Sequence, residues 1–360
     1  MMTDRICVTY RITGNEPAAV AEAIRVEQTI EFPNELAPEW IQRDVVGRVE
    51  SISGDQVCIS YDPRVAGGEL TQLLNVLWGN VSLFPGVRLI DLALPESITR
   101  LFKGPRFGIA GLRKHFDAPT RPLITTALKP MGTSSSELAE SARTLALAGF
   151  DIIKDDHSLA NQPWSTWRER VELVAKAVAE ANTSTGGKSA YAPSLNLPAD
   201  QVLDAAKSAA ELGAGALLIL PGITGFDSMR VIAAESELPI MAHPSMLGSH
   251  TISPNEGIAH GILFSTLMRL AGADITIFPN FGGRFSFSQT ECLEIRDAAI
   301  APLGEIAPAW ISPGGGMSID RIPEMIDFYG KDTALLIGGA LHRGSLRENA
   351  QKMAEVVSRY

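Results

Sequence analysis

The feature that most constrains this chain is a regular alternation, from Arg121 onward, of short β-rich apolar runs with longer amphipathic stretches. Such alternation is typical of repeated β-α units. Eight runs within about 220 residues suit a closed (β/α)8 barrel, whose usual size is ~250 residues. The predicted strands are 123–128, 151–154, 191–195, 216–220, 239–242, 274–278, 309–312 and 334–337. The predicted helices include 135–148, 166–181, 199–212, 258–270 and 322–328.

The first part of the chain has a different pattern. Residues 6–12 and 56–61 alternate like strands, while 17–28 and 69–77 have helical spacing. We therefore predict an α/β protein with two domains. A smaller α+β (ferredoxin-like) N-terminal domain, 1–115, precedes a (β/α)8 TIM barrel with a C-terminal helix, 116–360.

Composition excludes several classes of partner. The formal net charge of −10 and pI of about 5.2 argue against nucleic acid or an anionic membrane, both of which favour a basic face. The three cysteines are far apart and form no CxxC motif, so neither a disulfide framework nor a thiolate metal site is indicated. No apolar stretch reaches membrane-spanning length, and we expect a soluble, cytoplasmic protein.

Unusual polar residues and glycines follow the predicted strands. In a closed barrel the carboxyl ends of all strands meet at one mouth, whereas an open doubly wound sheet binds ligands near one switch point. An open sheet would not bring all of these residues together, so their positions favour the barrel. They are Lys129, the KDDH segment 154–157, His243, Asn280, Arg284 and the glycine runs 314–316 and 338–339.

The glycine runs after the seventh and eighth strands predict a phosphate site, with Gly315, Gly316, Gly338 and Gly339 as candidates. Residues without Cβ let backbone N–H groups approach an anion, and barrels often bind phosphate at this position. The alternative interpretation is a pair of tight turns.

The KDDH segment offers two oxygen ligands and one nitrogen ligand near a lysine. Oxygen ligands suit Mg²⁺, while the histidine admits Mn²⁺. The alternative is a charge cluster at a helix start. Burial could depress the pKa of Lys129 into a range useful for acid–base work, although most lysines are simply solvated. His243 is a candidate base or phosphate contact, or a core histidine.

The order of these segments resembles the large-subunit family of ribulose bisphosphate carboxylase (RuBisCO), and more closely its non-carboxylating, RuBisCO-like branch (form IV). The similarity covers nearly the whole chain. It rests on LWGNVSL with LFKGPRFGIAGLRK at the domain junction, TTALKPMG after the first strand, and GFDIIKDDHSLANQPWSTWRER around the second.

The resemblance implies roles for particular residues. Lys154 is similar to the lysine that reacts with CO2 to form a carbamate, and Asp156 and His157 stand at the two following metal-ligand positions. Lys129 matches an acid/base lysine. Glu27 and Asn80 match N-domain residues that reach the partner's site, so the resemblance implies a homodimer with a shared active site and bound Mg²⁺.

Departures from the carboxylase pattern matter as much. The last metal ligand is His157 instead of glutamate, Met131 replaces a second lysine, and Pro244 and Ile277 replace a phosphate-binding arginine and histidine. Arg284 aligns with the lysine that steers CO2 addition. We therefore expect no CO2 fixation and a monophosphate substrate. We expect an apolar surface for its other end, from Pro244, Ile277, Phe278, Pro279 and Phe281.

The expected activity is metal-dependent enolisation or isomerisation of a ketose monophosphate, such as 5-methylthioribulose 1-phosphate. One alternative is decarboxylation or hydrolytic cleavage of a 3-oxo sugar-acid phosphate, which passes through a similar enolate. A second alternative is a non-catalytic homologue that binds a metabolite. Retention of Lys129, Lys154 and Asp156 at strand ends counts against that alternative, because such charges are costly to keep without a use.

Overall fold

The computed structural model describes residues 4–360. Its N-terminal part follows the β-α-β-β-α-β order of ferredoxin-like domains, with an antiparallel sheet in the order β4-β1-β3-β2. The strands are β1 (Ile6–Ile12), β2 (Arg48–Ser53), β3 (Gln56–Tyr61) and β4 (Val87–Ala93). The helices are α1 (Pro17–Glu27), α2 (Glu39–Asp44), α3 (Leu70–Trp78) and α4 (Glu96–Thr99).

Burial explains which of these strands the sequence revealed. Every second residue of β1 is buried, which is the alternation from which the strand was predicted. Strand β2 was not predicted from the sequence, because it is almost wholly exposed and therefore carries no apolar alternation. Strand β4 was not predicted either, because it is buried continuously at its start instead of alternating.

The second part of the chain is a closed (β/α)8 barrel, as predicted. Two four-stranded parallel sheets, β13-β5-β6-β7 and β12-β11-β9-β8, form its wall within residues 4–360. Parallel bridges Ser194 to Leu218 and Ile311 to Thr333 close the two gaps between them. The strands are β5 (Leu123–Leu128), β6 (Ile152–Asp155), β7 (Ala190–Ala192), β8 (Leu217–Ile219), β9 (Ile240–Ala242), β11 (Ile275–Pro279), β12 (Trp310–Gly314) and β13 (Ala334–Leu336).

Helices surround the barrel wall and bury their apolar faces against it. The longest, α7, spans 19 residues and ends at Gly186, which has the left-handed conformation common at helix ends. Over residues 4–360, no helix combines the length and apolar character needed to cross a bilayer. The helices are α5 (Gly108–His115), α6 (Ser135–Leu147), α7 (Trp167–Thr185), α8 (Val202–Glu211), α9 (Pro221–Thr224), α10 (Phe226–Glu235), α11 (Leu267–Leu270), α12 (Gln289–Ile300), α13 (Ile322–Tyr329) and α14 (Leu346–Val357).

The amino end of the barrel is closed by α5. Leu112 and Phe116 are buried in one cluster with residues of the barrel interior. Asp274, just before β11, accepts hydrogen bonds from the backbone N–H groups of Phe107 at 2.7 Å and Gly108 at 3.2 Å. A fully buried carboxylate therefore holds the start of the helix against the barrel floor.

The predicted helix 258–270 is wrong at its start. Gly257–Ile258 form a short strand, β10, which pairs parallel with β4 and extends the N-terminal sheet. Gly257 has a φ of +102°, and a Cβ there would lie 2.3 Å from the His250 carbonyl oxygen. Helical backbone begins at His260 and continues from Ile262 as a π-helical turn that leads into α11. The apolar run concealed this change of direction, because both elements are buried.

Candidate active site at the barrel mouth

The KDDH segment directs its side chains alternately to the two faces of β6. Lys154 is inward, and Asp155 lies on the opposite face, between the barrel wall and α7. Asp155 accepts hydrogen bonds from Arg170 Nε at 3.1 Å, Tyr191 Oη at 2.8 Å and the Ser194 N–H at 3.1 Å. Asp155 is therefore not available as one of the two oxygen ligands that the sequence suggested, because these partners saturate its carboxylate.

Lys154 is buried, with 1% of its surface exposed. Its Nζ donates a hydrogen bond to the Asp155 carbonyl oxygen at 3.0 Å. The strand register places Ala127 and Ala192 beside it, so both neighbours are small. Burial, together with the nearby Lys129 cation, lowers the pKa of Lys154 to about 8. A substantial fraction of this amine is consequently neutral near pH 8.

Asp156 connects the two lysines. Lys129 Nζ lies 2.6 Å from Asp156 Oδ1, and the side chain of Lys129 is 29% exposed toward the mouth. Burial alone would raise the pKa of Asp156, but hydrogen bonds from His157 and Lys129 and the charge of Lys154 hold it well below its usual range. This carboxylate therefore stays ionised at any physiological pH.

His157 and His243 form a stacked pair at the mouth. Their ring centroids are 4.8 Å apart and their planes differ by 9°. Burial, with the nearby Lys154 cation, keeps the pKa of His243 well below its usual range. The Ser245 N–H lies 3.2 Å from His243 Nδ1, which assigns the proton of this neutral ring to Nε2. His157 is 46% exposed, so its imidazole is open to the mouth.

The loops after β11 and β12 touch backbone to backbone. A Cβ on Gly283 would lie 2.2 Å from the Gly315 carbonyl oxygen, and one on Gly316 would lie 2.6 Å from Gly283 Cα. Gly315 and Gly316 also have φ values of +80° and +125°. Tight packing therefore accounts for the glycines of this loop, whether or not an anion binds there.

The glycines after β13 are in a different situation. A Cβ on Gly338 would meet Lys129 Cε at 3.4 Å, which places this loop beside the lysine. Gly339 is exposed, and a Cβ there would meet no atom of the described residues within 4 Å. Packing does not require glycine at Gly339, so its backbone N–H is the more informative phosphate candidate.

Asn280 is turned away from the mouth, contrary to expectation. It is fully buried, and its Oδ1 accepts a hydrogen bond from Tyr329 Oη at 2.6 Å. Its Nδ2 contacts the sulfur atoms of Met317 at 3.2 Å and Met325 at 3.0 Å. Asn280 thus fixes the end of β11 in the core.

The expected apolar surface is smaller than the sequence suggested. Phe278 packs against Tyr329 at a ring distance of 6.0 Å, and Phe281 packs against Phe328 at 4.6 Å. Both phenylalanines belong to the core outside the barrel. Ile277 alternates to the inner face and is buried with the barrel interior. Pro244 and Pro279 are half-buried.

Arg284 is exposed on the loop after β11. Its guanidinium lies 5.2 Å from the ring centroid of Phe285, and the backbone N–H of Arg284 donates to the Gly315 carbonyl oxygen at 3.2 Å. The cation is therefore located above the glycine loop instead of joining the Lys129 cluster.

The predicted N-domain residues contact each other. Asn80 Nδ2 donates to Glu27 Oε1 at 2.8 Å. Gln28, which sequence reasoning missed, holds the pair in place, because its Oε1 accepts from the Val81 N–H and its Nε2 donates to the Asn75 carbonyl, both at 2.8 Å. Within residues 4–360, no hydrogen bond or ion pair joins Glu27 or Asn80 to the mouth cluster of this chain.

Two further residues near the mouth were missed. His342 follows β13, and burial together with the Lys129 cation lowers its pKa. Ser194 follows β7 and is fully buried. A small hydroxyl residue carries little signal by itself, but its spacing of two from the inward Ala192 would have placed it on the inner face.

The donor set at the mouth fits a divalent cation if Lys154 supplies an oxygen ligand. No cluster of three or more His, Cys, Asp or Glu side chains suited to a metal is found in residues 4–360. Asp156 and His157 are adjacent, and the amine of Lys154 is buried with one carbonyl partner. A carbamate on this amine would add the third, anionic ligand, and its formation requires the neutral amine that the lowered pKa of Lys154 favours.

The barrel, its ferredoxin-like domain and a lysine–carboxylate–histidine cluster at the mouth together define a protein of the RuBisCO architecture. Residues 108–283 match the family model of the ribulose bisphosphate carboxylase large chain, catalytic domain. The chain is 41% identical to ribulose bisphosphate carboxylase-like protein 1 of Rhodopseudomonas palustris, over 99% of both chains. It therefore belongs to the RuBisCO large-chain family, among the RuBisCO-like proteins.

Two further comparisons agree. The chain is 39% identical to the 5-methylthioribulose-1-phosphate isomerase of Rhodospirillum rubrum, over 99% of this chain and 96% of that protein. The crystal structure of the Rubisco-like protein from Rhodopseudomonas palustris matches with a TM-score of 0.91 and 38% identity, over 100% of this chain and 99% of that one.

Proposed function

We propose that this protein is an isomerase or enolase of the RuBisCO-like type, which enolises a ketose monophosphate such as 5-methylthioribulose 1-phosphate. The observation that carries the proposal is the ion pair of Lys129 with Asp156 at 2.6 Å, beside the buried Lys154. The similarity over nearly full length to a 5-methylthioribulose-1-phosphate isomerase supports this choice of substrate and a role in sulfur salvage.

The chemistry requires a proton to leave the carbon beside a carbonyl. The C–H electron pair moves to form an enediolate, and return of the proton at another carbon gives the isomer. We assign the proton transfer to Lys129, because its amine is partly open to the mouth while Lys154 is enclosed. A Mg²⁺ or Mn²⁺ ion held by Asp156, His157 and carbamylated Lys154 would stabilise the negative charge on the substrate oxygens.

The two ends of the substrate have different surroundings. We propose that Gly315, Gly316, Gly338 and Gly339 present backbone N–H groups to the single phosphate, with Arg284 above that loop. On the other side of the mouth, His243 is followed by Pro244; β9 and β11 pair as far as Ala242 and Thr276, and the two chains continue with His243 and Ile277. A short uncharged group suits that side better than a second phosphate would.

Deuterium exchange tests the proposal. The purified protein is incubated with Mg²⁺, bicarbonate and 5-methylthioribulose 1-phosphate in D2O and followed by NMR. We expect metal-dependent deuterium uptake or isomer formation, lost in Lys154→Ala and kept in Lys176→Ala, which changes an exposed lysine of α7. Absence of exchange in metal-loaded, substrate-bound protein would exclude the isomerase and favour decarboxylation or cleavage of a 3-oxo sugar-acid phosphate.

We also propose a homodimer in which Glu27 and Asn80 complete the partner's mouth. Support comes from their exposed mutual contact, which leaves both near the surface of the N-terminal domain and apart from the Lys129 cluster. Inactive Asn80→Ala and Lys129→Ala proteins, mixed after unfolding, should regain about a quarter of wild-type activity, because half the dimers then carry one intact site. Mixed dimers without any recovered activity would contradict the shared site.

A further inference from the structure

The backbone of Ser194 is held on both sides. Its N–H donates to Asp155 Oδ2 at 3.1 Å, and its carbonyl oxygen accepts a hydrogen bond from Trp167 Nε1 at 2.9 Å. Asp155 is in turn fixed by Arg170 and Tyr191. The position of the Ser194 side chain is therefore set by partners that bind its backbone and leave its hydroxyl unused.

The hydroxyl itself is enclosed without a partner. Ser194 is 0% exposed, and its Oγ has no hydrogen-bond partner among residues 4–360. Buried polar atoms are rarely left unpaired, because the lost hydration is not recovered. An unpaired hydroxyl at a rigid position is available to a partner that binds from outside the chain.

The strand register shows where this hydroxyl points. Ser194 bridges in parallel to Leu218, which belongs to the barrel interior together with Ala192. Lys154 and Ala192 are the last pair of the β6–β7 ladder, and Ser194 is two residues beyond Ala192, toward the mouth. The unused hydroxyl thus lies on the inner face of the barrel, on the mouth side of the layer that holds Lys154 and Ala192.

We propose that Ser194 is a positioning residue for the metal centre, and this inference rests on the proposed function. Its hydroxyl donates a hydrogen bond to the oxygen ligands gathered by Lys154 and Asp156 when CO2 and the divalent cation are bound. Hydrogen bonds of this kind orient metal ligands and commonly change metal affinity by ~10–100-fold when removed.

Thr126 provides a matched comparison within the same barrel. It is 1% exposed, and its Oγ1 likewise has no partner among the described residues. Thr126 alternates with Ala127, however, and faces the helices together with Leu128. The two hydroxyls are both buried but occupy different faces of their strands, and of the two only that of Ser194 lies on the inner face of the barrel.

A role at the metal centre and a purely structural role predict different changes in melting temperature and Mg²⁺ affinity for Ser194→Ala. If the hydroxyl serves the metal centre, the metal-free variant should melt at the same temperature as wild type or higher, because a buried polar atom without a partner has been removed. Mg²⁺ affinity should fall ~10–100-fold at the same time. A structural role would instead lower the melting temperature and leave the affinity unchanged.

The experiment measures Mg²⁺ binding by calorimetry and the carbamate by 13C NMR with 13C-bicarbonate, for wild type, Ser194→Ala and Thr126→Val. We expect weaker metal binding and a weaker carbamate signal in Ser194→Ala alone. Equal binding in wild type and Ser194→Ala, or an equal loss in Thr126→Val, would overturn the inference. If wild type itself binds neither Mg²⁺ nor CO2, the metal centre of the proposed function fails first, so the two failures are distinguishable.

Discussion

The two ends of the barrel treat buried charge differently. At the amino end, Asp274 accepts three backbone N–H groups, and Asp151 is paired with Arg121 at 2.6 Å and with the Ile124 N–H at 2.7 Å. At the mouth, Lys154 is equally buried, but its amine has one backbone carbonyl as hydrogen-bond partner. The floor charges are saturated by the chain, while the mouth leaves bonding capacity for something that binds.

This difference separates residues that stabilise the fold from residues that do chemistry. A saturated buried charge stabilises one arrangement of the chain, and its removal leaves the partner uncompensated. An undersaturated one lowers stability and is retained when a ligand completes it. Asp155 and Asp156 differ in their surroundings within one segment, since the first is enclosed by Arg170 and Tyr191, whereas the second is paired with Lys129 and faces the mouth.

The largest effect is expected for Lys154→Met. Enolisation and Mg²⁺ binding should fall by at least ~10³-fold, because the anionic third ligand is lost. The free energy of unfolding should stay unchanged or rise by ~1 kcal/mol, since an undersaturated buried amine is replaced by an apolar chain of similar size. Chemical denaturation and kinetics, with Lys176→Met as a control, check this pair of outcomes. A stability loss above ~2 kcal/mol would place Lys154 with the floor charges.

For Arg170→Met we expect a loss of stability, in contrast to the unchanged or higher stability expected for Lys154→Met. It removes the cation paired with fully buried Asp155, so the free energy of unfolding should fall by ~3–5 kcal/mol. The double variant Arg170→Met with Asp155→Leu should recover part of this loss, because no buried charge is then left alone. Urea titrations of the single and double variants measure the recovery. A loss below ~1 kcal/mol for Arg170→Met would show that the pair is not needed for stability.

Asp274 predicts a pH dependence at the floor. Burial raises its pKa to about 6, in spite of its backbone N–H partners. The carboxyl group of Asp274 therefore binds a proton more tightly in the folded protein than in the unfolded chain. The stabilisation that this bound proton gives is lost as pH rises through about 6. Wild type should lose ~1–3 kcal/mol relative to Asp274→Asn between about pH 4 and pH 6.5. If wild type and Asp274→Asn differ in free energy of unfolding by the same amount at both pH values, the raised pKa of Asp274 is refuted.

The smallest effect is expected at Gly339. Because a Cβ there meets nothing within 4 Å in the described chain, Gly339→Ala should change stability by less than ~0.5–1 kcal/mol. If its N–H binds the phosphate, the added Cβ should hinder the close approach of the phosphate to this N–H. KM should then rise several-fold with little change in kcat. The matched variant Gly283→Ala places a Cβ 2.2 Å from a carbonyl oxygen and should lose stability. An unchanged KM for Gly339→Ala would remove Gly339 from the phosphate site.

The barrel could be predicted from the sequence because its strands are short, mostly apolar runs that alternate with longer amphipathic stretches. Lys129, Lys154, Asp156 and His157 were expected near one another at the mouth because strand ends converge in any such barrel, and the structure brings Lys129 and His157 into contact with Asp156. The sequence could not distinguish Asp155 from Asp156, because the direction of a side chain at a strand end depends on a register that a single residue shifts.

Other failures have the same origin in long-range contacts. Phe278 and Asn280 were expected at the mouth, but their partners are Tyr329 and two methionines far along the chain. The strand Gly257–Ile258 exists because it pairs with β4 of the other domain. The role proposed for Ser194 was not predicted from the sequence, because it rests on a buried hydroxyl without a hydrogen-bond partner. That feature is visible only in the folded structure.

The most direct measurement is the anomalous diffraction of a crystal grown with Mn²⁺ and bicarbonate. The account predicts one strong Mn²⁺ peak in contact with Asp156 and His157, and additional density on Lys154 Nζ that contacts the same ion. A Mn²⁺ peak elsewhere, or a Lys154 amine unmodified beside a Lys129–Asp156 ion pair that persists in saturating Mn²⁺, would contradict the claim that the undersaturated charge at the mouth is a metal centre.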